Sequence, residues 1–384
     1  MGRLNVIQYP RPQSSQATLP VLYARWMDEF LGGGIPSESR ATCGDCAMCS
    51  KSGAAPAATA FHFDPGIKCC TYVPLLPNFL VGNLLDDPDP ALERGRESVR
   101  ARIRSNVAVS PLGLERTPLQ EALYPRVSFG NNSLVRCPHY ITETGGCGMH
   151  SHRNAVCATW FCKYDRGRVG QIFWERLLGL LDTVERHATF WCLLQLGVET
   201  RALEALLPLD DPRPKPKERA MEAVLPEGKR RELWGVWLGR EEELYQQCGR
   251  LVRALSFAET LNLCGAVGRV RGEMVRESYH RLVSGELPQH LLAGDMRVMF
   301  VSEQECGVDT YNGFDPRAIP KVVLDLLRYF DGRRTTAEAV QLIEREQNVV
   351  LERDFLQQLV DLQVLVPAEF SVGGSVTEEG RHRE

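Results

Sequence analysis

Between Phe173 and Leu194 apolar residues return at steps of three and four: Phe173, Leu177, Leu180 with Leu181, Val184, Trp191 and Leu194. That spacing predicts a long amphipathic helix beginning near Gly170, with one face turned to a core. Two further helical blocks are expected over about 232–256 and 258–284. The alternating prolines of 209–217 forbid a helix and mark a linker within 208–218. Upstream, Val21–Leu31 forms one short amphipathic stretch, stopped by Gly32-Gly33-Gly34. From Ala41 to Lys163 clean periodicity fades, and Gly, Pro and Asn become dense. Such a segment cannot easily bury a large core, so metal cross-links are expected to supply part of its cohesion.

The C-terminal pattern is more regular. A helix is expected over about 319–330, then a turn at Asp331-Gly332. Thr335 with Glu338 makes a capping box that opens a second helix carrying Ala337, Val340 and Ile343. Phe355, Leu356, Leu359 and Leu362 mark a third helix, and Val364-Leu365-Val366 a strand. The predicted fold class is mainly α. Its parts are an N-terminal arm (1–40), a loop-rich, metal-stabilised cysteine domain (41–168), a helical body (169–310), a small winged-helix-like module (314–367) and a polar tail (368–384).

Composition narrows the classes. The chain has 384 residues, 43% apolar and 24% charged, which suits a folded globular protein. A net charge of −4 gives no reason to expect nucleic acid as a partner. No apolar run reaches the roughly 20 residues of a membrane span, and the first residues lack the apolar stretch of a signal peptide. The expected location is therefore cytoplasmic, with no membrane partner.

The cysteines are the unusual feature: thirteen in all, nine of them between Cys43 and Cys162. In a reducing compartment, clustered cysteines point to metal or redox chemistry before disulfides. The spacings are Cys43-x2-Cys46-x2-Cys49, the pair Cys69-Cys70, and Cys137-x9-Cys147-x9-Cys157-x4-Cys162. A C-x2-C turn returns the second sulfur to the side of the first, so both reach one ion. A C-x2-C-x2-C run plus a remote cysteine also holds many [4Fe–4S] clusters. Cys43, Cys46 and Cys49 with one of Cys69 and Cys70 make one set of four. Cys137, Cys147, Cys157 and Cys162 make a second. The implied cofactor is one or two iron–sulfur clusters, with zinc as the alternative. His139, His150 and His152 could each add a nitrogen ligand. Arg153 could donate hydrogen bonds to cluster sulfur. Trp160, Phe161, Phe173 and Trp174 surround the last cysteines, either as a dry shell or as core. Cys192, Cys248, Cys264 and Cys306 read as ordinary core thiols.

The run CPHYITETGGCGMHSHRNAVCATWFC resembles the zinc- or iron-chelating CxxCxxCC family. Cys137-Pro138, Gly146-Cys147, Arg153 and Cys157-x4-Cys162 fall on that family's pattern, with Asn154 where the family has proline. The upstream half departs from it, since nineteen residues separate Cys49 from Cys69-Cys70. The resemblance implies metal binding by these cysteines. Some members are lysine methylases of flagellin, which implies, as enzyme alternatives, an iron–sulfur oxidoreductase or an S-adenosylmethionine-dependent protein lysine methylase. The radical-enzyme spacing C-x3-C-x2-C and a G-x-G-x-x-G loop are both absent from the sequence. Residues Phe330-Asp331-Gly332-Arg333-Arg334-Thr335-Thr336 resemble the winged-helix modules of pyrroloquinoline-quinone chaperones, which implies a peptide or protein partner at 314–367. The third helix of this module is too acidic to read DNA.

Overall fold

The computed structural model describes residues 2–3, 15, 18–49, 62–207 and 224–368. Helices dominate them, and the sheets are small, so the fold is mainly α as the periodicity predicts. The proline-rich linker from 208 on and the tail from 369 on lie outside the described residues.

Gly167–Gln195 is one helix of 29 residues, about 44 Å long. Phe173, Leu177, Leu180, Leu181 and Val184 are buried as their spacing predicts. Near its end the stripe rotates: Cys192 and Leu193 are buried, whereas Leu194 is exposed. Ideal helix periodicity drifts over eight turns, and the packing partner decides which residues stay inside. Val21–Leu31 is a helix with the predicted bounds, closed by Gly32 in the left-handed region at φ 66°. It is no loose arm, because Tyr23, Trp26 and Met27 are fully buried in the main core.

The cysteine-bearing stretch differs from its loop-rich expectation in one respect. It contains the helices Asn78–Asp86 and Glu93–Ser105. The first is buried along nearly its whole length and inserts into the main core, Asn78 and Asn83 included, so it shows no exposed polar face and no amphipathic period. It crosses Glu241–Ala254 at very short range. A Cβ on Gly82 would fall 1.8 Å from the Tyr245 carbonyl oxygen, and one on Gly249 would fall 2.8 Å from Asn83 Oδ1. Two backbones touch there because neither residue carries a side chain. The two blocks expected over 232–256 and 258–284 are four helices: Glu227–Trp234, Glu241–Ala254, Phe257–Leu263 and Gly265–Ser284.

A second core begins at Leu287 and runs to Leu365. Strand His290–Ala293 is the centre of an antiparallel sheet flanked by Asp331–Thr335 and Leu365–Pro367. The C-terminal unit thus starts well before residue 314. A second three-stranded sheet has Glu305–Asp309 between Arg297–Val301 and Arg317–Pro320. Ile319, expected in a helix, belongs to this last strand, and the helix is shortened to Val322–Leu326. The Thr335/Glu338 capping box forms as predicted and starts helix Thr336–Gln347. Helix Arg353–Asp361 completes the unit.

Gly82→Ala should destabilise the protein by about 3 kcal/mol, because the added methyl meets backbone with no room to repack. Gly228→Ala, where the new Cβ meets nothing within 4 Å, should be neutral or stabilise by up to about 1 kcal/mol. Urea unfolding of the two variants against the parent measures the contrast.

Candidate metal centre

All nine candidate cysteines lie among the described residues, and none of the thirteen is joined in a disulfide. The Cys43–Cys49 segment is a turn in which Cys49 N–H donates to the Cys46 carbonyl at 3.1 Å. Its far end pairs with the chain at Phe63: Cys49 and Phe63 form a parallel bridge, and Phe63 N–H donates to Met48 O at 2.8 Å. Cys69-Cys70 follows a turn containing Lys68, whose φ of 56° is left-handed. Cys137 N–H donates to Cys70 O at 2.7 Å, which joins the pair to the distal cysteines. Cys147 lies on a short hairpin opposite Tyr140. Cys157 lies in the short helix Ala155–Thr159, whose N-cap is Asn154, with its side chain accepting from Cys157 N–H at 3.1 Å. Asn154 therefore caps this helix.

The thiols fall into two neighbouring groups. Cys162 is buried against Met48 and Phe63, with Cys46, Cys49 and Cys69 packed around them. Its thiol is pushed up to about 12 by burial and by Cys43 and Cys46. Cys157 is pushed well up by burial and then by Cys137 and Cys147. Cys137 is likewise pushed up to about 12 by burial, with Cys147 and Cys69 adding to it. The outer group is thus Cys43, Cys46, Cys49 and Cys162. The inner group is Cys69, Cys70, Cys137, Cys147 and Cys157. Cys162, which chain order assigns to the distal set, faces the proximal one.

Cys69 sits at the junction and behaves differently. It is drawn down, chiefly because the Cys70 thiol donates to its sulfur, with Arg153 and Lys68 adding positive charge. Burial raises Cys43 and Cys147, and Arg153 opposes the rise at both. Arg153, singled out from sequence, therefore faces thiols of both groups. Lys68 was not legible in the sequence. Its ammonium donates to Gly145 O at 2.7 Å and to Cys43 O at 3.3 Å, so it ties the outer turn to the hairpin of Cys147.

Two of the three histidines that could add a ligand each hold one ring nitrogen against another side chain. His139 Nδ1 lies 2.8 Å from Ser98 Oγ, and burial and then Arg102 press its imidazole down to about 3. His152 Nε2 lies 2.8 Å from Asp87 Oδ2. His150 is brought down to about 4 by burial and by Arg153. The aromatic residues divide. Phe161 and Trp174 stack at 4.8 Å on the main core. Trp160 joins Phe129, Phe63 and Phe314 around Cys162.

Phe314 comes from the C-terminal unit, and no sequence signal announced it. Its loop is fastened to the cysteine region by several bonds. Asn312 Nδ2 donates to Cys162 O at 3.1 Å, and Lys163 Nζ to Phe314 O at 3.3 Å. Asp315, fully buried at its side chain, accepts both guanidinium nitrogens of Arg40 at 2.7 Å. On the opposite side, Glu185 of the long helix accepts from Tyr23 Oη and from Ala155 N–H, anchoring the Cys157 helix.

Among the described residues no group of three or more His, Cys, Asp or Glu side chains is arranged to hold an ion as it stands. None of their helices is long and apolar enough to cross a membrane. No family model matches the chain, and no curated protein or solved structure is similar to it.

Burial raises Glu185 from 4.5 to about 8. The folded protein then holds this proton more tightly than the unfolded chain does. The stabilisation is complete below about pH 4.5 and is lost as pH rises through about 8. Glu185→Gln keeps an oxygen for both donors and cannot ionise. It should match the parent near pH 4.5 and exceed it above about pH 8, by an amount on the order of a few kcal/mol. Thermal melts across that range test the sign.

Proposed function

We propose that this chain is a metal-binding cysteine-centre protein, and that its inner group holds an iron–sulfur cluster serving electron transfer. The observation that supports the reading is that Cys137 N–H donates to Cys70 O at 2.7 Å, which joins two of the three cysteine-bearing stretches, with Cys147 and Cys157 near enough to Cys137 to oppose its ionisation and Arg153 near enough to Cys147 and Cys157 to favour theirs. The donor chemistry fits. Five thiols offer four sulfur ligands with one in reserve, and iron–sulfur clusters are held by four cysteine thiolates. A cluster ligated by thiolates is anionic, and Arg153 and Lys68 supply the compensating charge. When bound, the cluster would accept and release single electrons. Arg153 would donate hydrogen bonds toward cluster sulfur, which tunes the potential.

The buried thiols are held protonated by their surroundings, so ligation must displace those protons. It must also draw the sulfurs together. The centre is therefore a shell that closes on its metal. A zinc-stabilised interaction protein is the second reading. It is favoured by the strand Arg297–Val301, an outer edge with Val298, Phe300 and Val301 exposed. Such an edge can take a further strand from a protein partner.

Protein purified without oxygen should be brown and contain iron with acid-labile sulfide. Cys157→Ser and Cys69→Ser should each lose most of the iron, while Cys264→Ser, in the helical core, should keep it. Colourless protein holding only zinc would remove the iron–sulfur assignment, and unchanged iron in both variants would remove the ligand set.

A further inference from the structure

Arg297–Val301 is an outer strand of its sheet: Glu305–Asp309 pairs with one side, and no described strand pairs with the other. Ser302 N–H donates to Glu305 O at 2.7 Å, which makes these two residues a hydrogen-bonded pair. In an antiparallel ladder such pairs alternate with non-hydrogen-bonded ones. The N–H and C=O of Val301, one residue earlier and opposite Cys306, therefore point away from the sheet. Val298, Phe300 and Val301 are exposed along the same edge. Phe300 is held in place, because its ring covers Gly307 on the neighbouring strand, where an added Cβ would fall 2.2 Å from Cε1. The ring is nevertheless 54% exposed. Proteins ordinarily blunt an open edge with charge. Here one charge of each sign bounds the strand, Arg297 at its start and Glu303 in the turn after it. Both are exposed, and neither has an ion pair among the described residues.

We propose that this edge pairs with the same strand of a second copy of the chain, antiparallel about a two-fold axis at Phe300. The proposal deepens the second reading above, resting on its exposed edge and on no metal. Centred on Phe300, the register sets Val301 of one copy opposite Met299 of the other, and Arg297 opposite Glu303, at both ends. The outward backbone groups of Val301 then gain partners, opposite charges face each other, and the two Phe300 rings meet on one face at the axis. A register centred on Met299 would instead set Asp295 opposite Glu303 and leave Arg297 facing Val301, and like charges directly opposite are destabilising. The charges thus select between these registers. Each copy uses its edge once, so the pairing closes as a dimer and does not run on as a fibre. A bulge leaves Met299 without a partner on Glu305–Asp309, which shortens the straight part of the strand. One short strand per copy falls well below the roughly 1,600 Å² of a stable complex, so the dimer is expected to be weak and concentration-dependent.

Sedimentation velocity of the full-length protein across the micromolar range tests the pairing. The parent should move from monomer to dimer as its concentration rises, while Phe300→Lys should stay monomeric. Glu303→Arg, a change in an exposed turn, should weaken the dimer by about tenfold or more through like charges at both ends. Adding Arg297→Glu to Glu303→Arg exchanges the two charges and should restore it. A parent that stays monomeric throughout overturns the proposal. So does a dimer unmoved by Glu303→Arg, or one that the exchange fails to restore. Should Phe300→Lys fail to fold, the two charge variants decide. Zinc measured on the same samples reports separately on the second reading: a zinc-free dimer removes that reading and leaves the pairing, and a zinc-bound monomer does the reverse.

Discussion

Asp315 is the interaction on which the arrangement of this molecule turns. Its carboxylate has no exposed side-chain surface and is surrounded by cations from distant parts of the chain: Arg40 before the cysteine turn, Lys163 after the last clustered cysteine, and Arg317 beside it. A charge so far from water is tolerated only when its partners are in place, and losing one partner of such a set costs several kcal/mol. Because Arg40 and Lys163 bracket the cysteine region, satisfying Asp315 fixes both ends of that region at once. The same loop then delivers Phe314 to the aromatic cluster around Cys162.

That tie matters because the cysteine region has little else of its own. Its private apolar cluster has only Met48, Phe63 and Cys162 buried. The remaining cohesion comes from polar fastenings: Lys68 across two carbonyl groups, Asn154 at the Cys157 helix, and Glu185 beneath it. Fastenings of this kind hold backbone while leaving thiols some freedom to turn. A metal centre needs both, since ligands must be delivered to one place and must still close on the ion.

The electrostatics follow from the same geometry. Thiols buried beside one another resist ionisation, because each charge would be poorly solvated and would repel its neighbours. Cys69 escapes because the Cys70 thiol donates to it and two cations lie nearby. It also lies against thiols of both groups.

Much of this could be read from the sequence. The three- and four-residue apolar period fixed the long helix, Gly32 ended the first one, and Thr335 with Glu338 opened another, because these signals act within a few residues of chain. The cysteine spacings marked a sulfur-rich region for the same local reason. Tertiary structure alone decided the rest. Asn78–Asp86 has no period to detect because it is buried all round, and its crossing at Gly82 depends on a helix some 160 residues away. Cys162 joins the outer thiols because Phe63 and Phe314 pack there. Phe63 stands beside Cys49 because a strand bridge, not a motif, brings it in. Sequence spacing measures distance along the chain, and a metal centre is built from distance through space.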